Sequence, residues 1–261
     1  MRKIVFLLLS ILLLLTLLAG SIVCTDTGLL LIKKTVNSVC GEFLTIRSVK
    51  GKLAGEWSLQ DLKVDLEGVA VSVGEMECSW RPGKLFSGEF DFAKLSVRDS
   101  RVTLKSGVEE VSSDSPLVLP KLFLPFVFVV NEVSIKNLSL VADGGSEIVR
   151  IENGGFELNW QGYQVGLNDF FLEASEFGFK SHGFLDTRHG WSLDLAGGYR
   201  FSMAGVNNLA GTYSIKGSLD NLAVDLGLYH PAAVRARGTV INLLDDLQWK
   251  VAVNGTDVDL S

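Results

Sequence analysis

The stretch from Leu62 to Trp80, LKVDLEGVAVSVGEMECSW, decides the class of the fold. Leu62, Val64 and Leu66 alternate with Lys63 and Asp65, and after Glu67-Gly68 the alternation resumes in Val69, Val71 and Val73. A two-residue period sends successive side chains to opposite faces, so each run reads as a strand with one apolar and one wet face. Met76, Cys78 and Trp80 continue on the opposite parity, which calls for a bulge or turn near Gly74.

The same period returns along the rest of the chain. It is carried by Phe90 and Phe92, Leu95 and Val97, Val102 and Leu104, Val133 and Ile135, and Leu138 and Leu140. Later it recurs in Phe156-Leu158-Trp160, Val165-Leu167, Phe177-Phe179, Leu193 with Leu195, Tyr199-Phe201-Met203, Tyr213-Ile215, and Leu222 with Val224 and Leu226. Trp249-Val251-Val253 and Val258-Leu260 close the series. Turn clusters at Asp143-Gly144-Gly145, Asn153-Gly154-Gly155 and Gly197-Gly198 favour local antiparallel connections over helical crossovers. About fourteen such strands, ~4.8 Å apart, would extend about 70 Å. The periodicity alone leaves two outcomes: a closed barrel or sandwich with an ordinary core, or an open sheet whose apolar face needs another cover.

Two stretches depart from the pattern, and one segment is echoed within it. Lys105 to Pro116 is rich in Ser and acidic residues and reads as an exposed loop, followed by Pro120 and Pro125 in an apolar segment. Asn242 to Leu247 reads as a helical turn. Phe92 to Leu104 (FAKLSVRDSRVTL) is echoed by Val130 to Ala142 (VNEVSIKNLSLVA), each in the form of two short strands around a polar dipeptide.

The amino terminus differs in kind. Residues Ile4 to Val23 carry no charge and sixteen of the twenty are apolar. As a helix they span about 30 Å, the thickness of a bilayer's hydrocarbon core. Ile4, Phe6, Leu12, Leu15, Leu18 and Val23 are the candidate anchor contacts. Arg2 and Lys3 before the run place the amino terminus in the cytoplasm and the bulk of the chain across the membrane. A cleaved signal peptide ending near Ala19-Gly20-Ser21 is the other reading of the same residues. Leu29, Ile32 and Val36 recur at helical spacing behind Thr25 or Asp26 as cap, predicting a short amphipathic helix. The expected layout is an anchor over 1–25, that helix over 26–40, and a β-rich body over 41–261.

Composition narrows the chemistry. A 47% hydrophobic content supports a folded body, and a net charge of −6 argues against nucleic acid as a partner. His182, His189 and His230 stand in no metal-ligand spacing, and the acidic pairs Glu109-Glu110 and Asp245-Asp246 read as solvated surface. No cofactor and no catalytic residues are expected. Cys40 and Cys78 either pair in an oxidising compartment or stay as small hydrophobes. The five tryptophans lie in or beside alternating runs and read as sheet-packing residues.

Several of these segments together resemble a known family. Thr27 to Leu31 (TGLLL), Ile46 to Asp65 (IRSVKGKLAGEWSLQDLKVD), Gly68 to Trp80, Leu85 to Gly88 (LFSG) and Leu95 to Leu104 follow in the order seen at the start of TamB proteins, the translocation and assembly module subunits. Gly211 to Leu226 and Gly238 to Trp249 are similar to that family's repeats, and the wider AsmA-like superfamily shares much of the pattern. The resemblance implies a mainly β fold: a transmembrane helix, a short amphipathic helix, then an elongated, curved antiparallel sheet forming an open trough. It implies an inner-membrane protein with its bulk in the periplasm, whose partners are the membrane and phospholipid acyl chains. The lipid-groove candidates are then the members of the alternating pairs and runs: Leu62, Val64, Leu66, Val69, Val71, Val73, Phe90, Phe92, Leu95, Val97, Val133, Ile135, Leu193, Leu195, Leu222, Val224 and Leu226. A TamA-like outer-membrane barrel would be reached through a carboxy-terminal domain that such proteins carry and this chain, stopping in mid-alternation at Ser261, lacks. The chain is therefore expected to be a fragment.

Overall fold

The computed structural model describes residues 25–105, 119–188, 190–203, 206–231, 233–244 and 246–256. The anchor candidates Ile4 to Val23, nearly all of the loop expected over Lys105 to Pro116, His189, Asp245 and the Val258-Leu260 pair lie outside the described residues. No helix among the described residues is long and apolar enough to cross a membrane.

The first element is helix α1 (Asp26–Val39), with Thr25 at its N-cap position and Asp26 in its first turn, where a negative charge suits the positive end of the helix dipole. Leu29 packs inward and Val36 is half-buried, but Ile32 points to solvent.

Thirteen strands follow: β1 (Leu44–Gly51), β2 (Glu56–Leu66), β3 (Val69–Trp80), β4 (Glu89–Leu104), β5 (Leu124–Val141), β6 (Glu147–Gly162) and β7 (Gln164–Glu173). Then come β8 (Phe177–Asp186), β9 (Ser192–Met203), β10 (Val206–Ser218), β11 (Asn221–His230), β12 (Ala233–Ile241) and β13 (Gln248–Thr256), with a 3₁₀ turn, Pro82–Ser87, between β3 and β4. They form one long, curved sheet in strict chain order, and β1 and β13 do not meet. The closed barrel and the sandwich are therefore not what this chain builds.

One junction corrects the expectation of a wholly antiparallel sheet: β4 and β5 run parallel. Glu89 stands opposite Val127 and Thr103 opposite Val141, so both strands start at the same end. The chain must return about 50 Å between them, which no short turn can do and a nineteen-residue connection can. The sequence echo coincides with this pairing. Leu95, Val97, Ser100 and Val102 lie beside Val133, Ile135, Leu138 and Leu140, each next to the residue thirty-eight positions later.

Several strands are longer than the alternation suggests. Asn153-Gly154-Gly155 and Gly197-Gly198 are not turns but lie inside β6 and β9, whereas Asp143-Gly144-Gly145 does turn, with φ of 99° and 87° at its glycines. The mid-strand glycines are there because neighbours fill their space: a Cβ on Gly155 would come within 2.6 Å of the Val133 carbonyl oxygen and 2.8 Å of the Phe171 ring. Residues around Asn242 form a turn rather than a helical one, with Asn242 and Leu243 donating backbone hydrogen bonds to Asp220 and Leu219. Pro125 is accommodated near the start of β5, where the register with β6 is irregular.

Candidate binding face

Residues directly opposite one another in a sheet share a face, so the register fixes which side chains stand together. One row crosses β1 to β6 as Ile46, Leu62, Val73, Ser100, Leu138 and Ile151. Another runs unbroken from β3 to β13: Trp80, Phe92, Val130, Leu158, Leu167, Gly183, Leu195, Ile215, Val224, Gly238 and Val251. A third begins at Phe90 and Phe128 and passes through Leu193 and Leu222 to Trp249.

Followed row by row, the register places Phe90, Phe92, Leu95, Val97, Val133, Ile135, Leu193, Leu195, Leu222, Val224 and Leu226 on one face, and Leu62, Val64, Leu66, Val69, Val71 and Val73 on a common face of their own part of the sheet. Val64, Val71 and Val102 share a row, as do Leu66, Val69 and Leu104, while Val97 stands beside Ile135, Leu95 beside Val133, and Leu226 beside Tyr213. Val133 and Leu222 are buried, Leu66 and Leu226 exposed, and the others half-buried.

A line of left-handed residues crosses β2, β4 and β5 where the apolar residues change parity. Asp61, Asp99 and Asn137 have φ of 51°, 51° and 54°, a left-handed backbone that Asp and Asn adopt more readily than other side chains. The pairs flanking them put Asp61 opposite Gly74, Gly74 opposite Asp99, and Asp99 beside Asn137. The Asn137 side chain donates a hydrogen bond to Asp99 Oδ1 at 3.0 Å, and a Cβ on Gly74 would lie 3.1 Å from that of Asp99. The break read from sequence near Gly74 lies on this line and is not a turn.

Rings cover part of the face. Trp80 stacks on Phe92 at 6.1 Å between centroids, and its indole donates to the Leu53 carbonyl oxygen at 2.6 Å. A second ladder passes from Phe156 to Phe170, Phe179 and Tyr213 at 6.2, 6.0 and 5.0 Å. Tyr213 lies across Gly197 with its hydroxyl donating to the Lys180 carbonyl oxygen at 3.2 Å. Tyr199 lies across Gly211 in the same way and reaches Gly227 at 3.4 Å. A ring laid over a cross-strand glycine fills the missing side chain and pins three strands together.

The opposite face is charged. Arg98 sits between Glu75 and Glu77 at 3.2 and 3.4 Å, and Asp225 between Arg235 and Arg237 at 2.6 and 3.0 Å. The Arg235 hydrogen bond holds the Asp225 carboxyl down at about 2. Cys78, by contrast, stands on the apolar face, buried, with its thiol pushed up to about 11 by that burial. It and Cys40 are both free. His182 lies on β8 and His230 ends β11, and among the described residues no group of three or more His, Cys, Asp or Glu is arranged to hold a metal.

What lies over the apolar face decides its use. Each strand lies beside its neighbours in chain order, with Tyr199 and Tyr213 reaching one strand further, α1 lies beside β1 and the 3₁₀ turn beside β4, so no described helix or strand crosses the face. The segment 119–123 runs past the ends of β6 to β9, where Thr187 Oγ1 donates to the Leu122 carbonyl oxygen at 2.7 Å and the Trp191 indole to that of Pro120 at 3.2 Å. At the β13 edge Trp249 is 72% and Val253 64% exposed. The β1 edge is closed instead: the Asn37 carboxamide donates to the Ile46 carbonyl oxygen and accepts from the Ile46 N–H, both at 2.9 Å, and Lys33 donates to the Arg47 carbonyl oxygen.

The family model described as TamB, N-terminal domain, matches residues 13–118 and 108–260. The chain belongs to the TamB family. No solved structure matches it. In this TamB-family sheet the sequence reading missed β1, because its apolar residues Leu44, Ile46 and Val49 change parity after one step, and it missed β12, where Val234, Ala236 and Val240 are separated by Arg235, Arg237 and Gly238. Both strands show the alternation once small residues are admitted to it.

Proposed function

We propose that this TamB-family chain is the membrane-proximal part of a lipid conduit. Residues 4–23 hold it in the inner membrane as a single pass, with the bulk in the periplasm, and the apolar face of the sheet takes up phospholipid acyl chains. It conducts passively, without catalysis or a cofactor, and supports the assembly of outer-membrane proteins by supplying lipid between membranes. The observation that carries this reading is the apolar side of the sheet with no described helix or strand laid across it. Exposed apolar surface of that extent needs a cover, and each acyl methylene withdrawn from water contributes about 0.8 kcal/mol. The flat-lying tyrosines support it too, since they cover backbone at glycines without raising a plug of side chains.

A membrane-tethered scaffold that binds a protein partner is the rival reading, and the open β13 edge is what favours it. Mass spectrometry of gently purified protein separates the two. The conduit requires reproducible co-purifying phospholipid, and Val71→Asp or Leu66→Asp, folded by circular dichroism, should lose most of it. Equal loading in the folded variants, or no lipid in the parent, would overturn the conduit.

A further inference from the structure

We propose that α1 and the start of β1 form a second membrane contact, lying on an anionic lipid surface where the groove begins; this rests on the conduit reading. The helix is apolar on two sides. Leu29 faces β1, yet Leu31 is 48% and Val39 75% exposed, and Phe43, just beyond the helix, is 46% exposed. At helical spacing Ile32 and Val39 flank the side on which Leu29 and Val36 stand, and Leu31 lies on the far side, so exposed apolar side chains wrap from the flank of the helix round to its outer side. Apolar surface left bare on a helix this short belongs to an interface.

Charge selects the occupant. Residues 26–52 hold five basic and two acidic side chains, net +3, whereas residues 53–261 carry −11. Lys34 on the helix and Lys50 and Lys52 at the end of β1 and just after it are exposed. A positive end on an otherwise acidic chain, set against exposed Leu, Ile, Val and Phe, matches negatively charged headgroups over acyl chains. The uncharged run Ile4 to Val23 ends just before the helix, which brings both to the same surface. The contact would set the tilt of the sheet over the bilayer and the height at which a lipid tail meets Leu44 and Ile46.

The test uses the full chain in nanodiscs of phosphatidylcholine, with and without phosphatidylglycerol. No tryptophan precedes Trp57, so Leu31→Trp adds one emitter on the outer side of the helix that is read by difference from the parent. Its emission should be blue-shifted and lose more than half its intensity when the acyl chains are brominated. The loss should grow with phosphatidylglycerol at low salt and shrink as salt screens the charges. Combining it with Lys34→Glu, Lys50→Glu and Lys52→Glu should abolish the phosphatidylglycerol effect. Phe43→Trp gives a second report should the first variant fold poorly. Emission that is red-shifted, or blue-shifted but untouched by bromination, overturns the proposal, as does quenching that ignores phosphatidylglycerol at low salt. The Val71→Asp lipid comparison reads the conduit separately, so either idea can fail while the other stands.

Discussion

Gly197 and Gly198 are adjacent and look equivalent in the sequence, yet the sheet uses them differently. A Cβ on Gly197 would come 2.8 Å from the Tyr213 hydroxyl oxygen and closer still to the Lys180 carbonyl, while one on Gly198 meets nothing nearer than 3.4 Å. Gly197→Ala should therefore lift the Tyr213 ring off the face and cost about 1–3 kcal/mol, as overpacking does, with Gly198→Ala staying within about 0.5 kcal/mol. Chemical unfolding of the two variants checks this, and similar costs for both would show that the ring does not lie over Gly197. Asp99 and Asn137 teach a related lesson. They read as polar interruptions between short strands, but their tolerance of a left-handed backbone makes them the points where one long strand resets its parity.

At the scale of elements the two edges of the sheet are treated oppositely. An edge strand presents unpaired N–H and C=O groups that invite another strand, and covering them is one of the usual remedies. Asn37 does this for β1 by meeting both backbone groups of Ile46, with α1 as the support. Asn37→Ala removes two hydrogen bonds of about 1 kcal/mol each, partly replaced by water, and should speed exchange of the Ile46 amide about tenfold. Amide exchange measured by nuclear magnetic resonance or mass spectrometry decides it; an unchanged Ile46 rate would mean that the carboxamide does not hold the edge. The parallel β4–β5 pair is the other element-level departure. It brings two similar segments side by side, so that Leu95 meets Val133 and Val97 meets Ile135 without any change of parity.

On the scale of the whole molecule, the strands of the described residues pair only with neighbours in chain order, as in a repeat protein. Stability should then be graded along the sheet. The strands β4, β5 and β6, of sixteen, eighteen and sixteen residues, have partners on both sides. β13 has one partner and the most exposed apolar side chains. Hydrogen exchange of the full chain should show strongest protection in β4–β6, less in β1, and least in β13. Protection of β13 equal to that of β5 would mean that something covers this edge in solution.

The β class, the one apolar and one polar side of nearly every strand, and the short helix before them follow from the order of residues alone. These are properties of local period, and Leu62-Val64-Leu66 or Leu193-Leu195 carry them without help from distant residues. The sequence also held the match to the TamB family in the order of its segments. Only the tertiary structure decided that the strands remain one open sheet, that β4 and β5 run parallel, and that Asn153-Gly154-Gly155 extends a strand instead of ending it. The reason is that period says which way a side chain points relative to its own strand and nothing about what stands opposite. Whether a glycine marks a turn or a seat for a neighbouring ring, and whether an apolar face closes on itself or stays bare, depends on pairing across the chain.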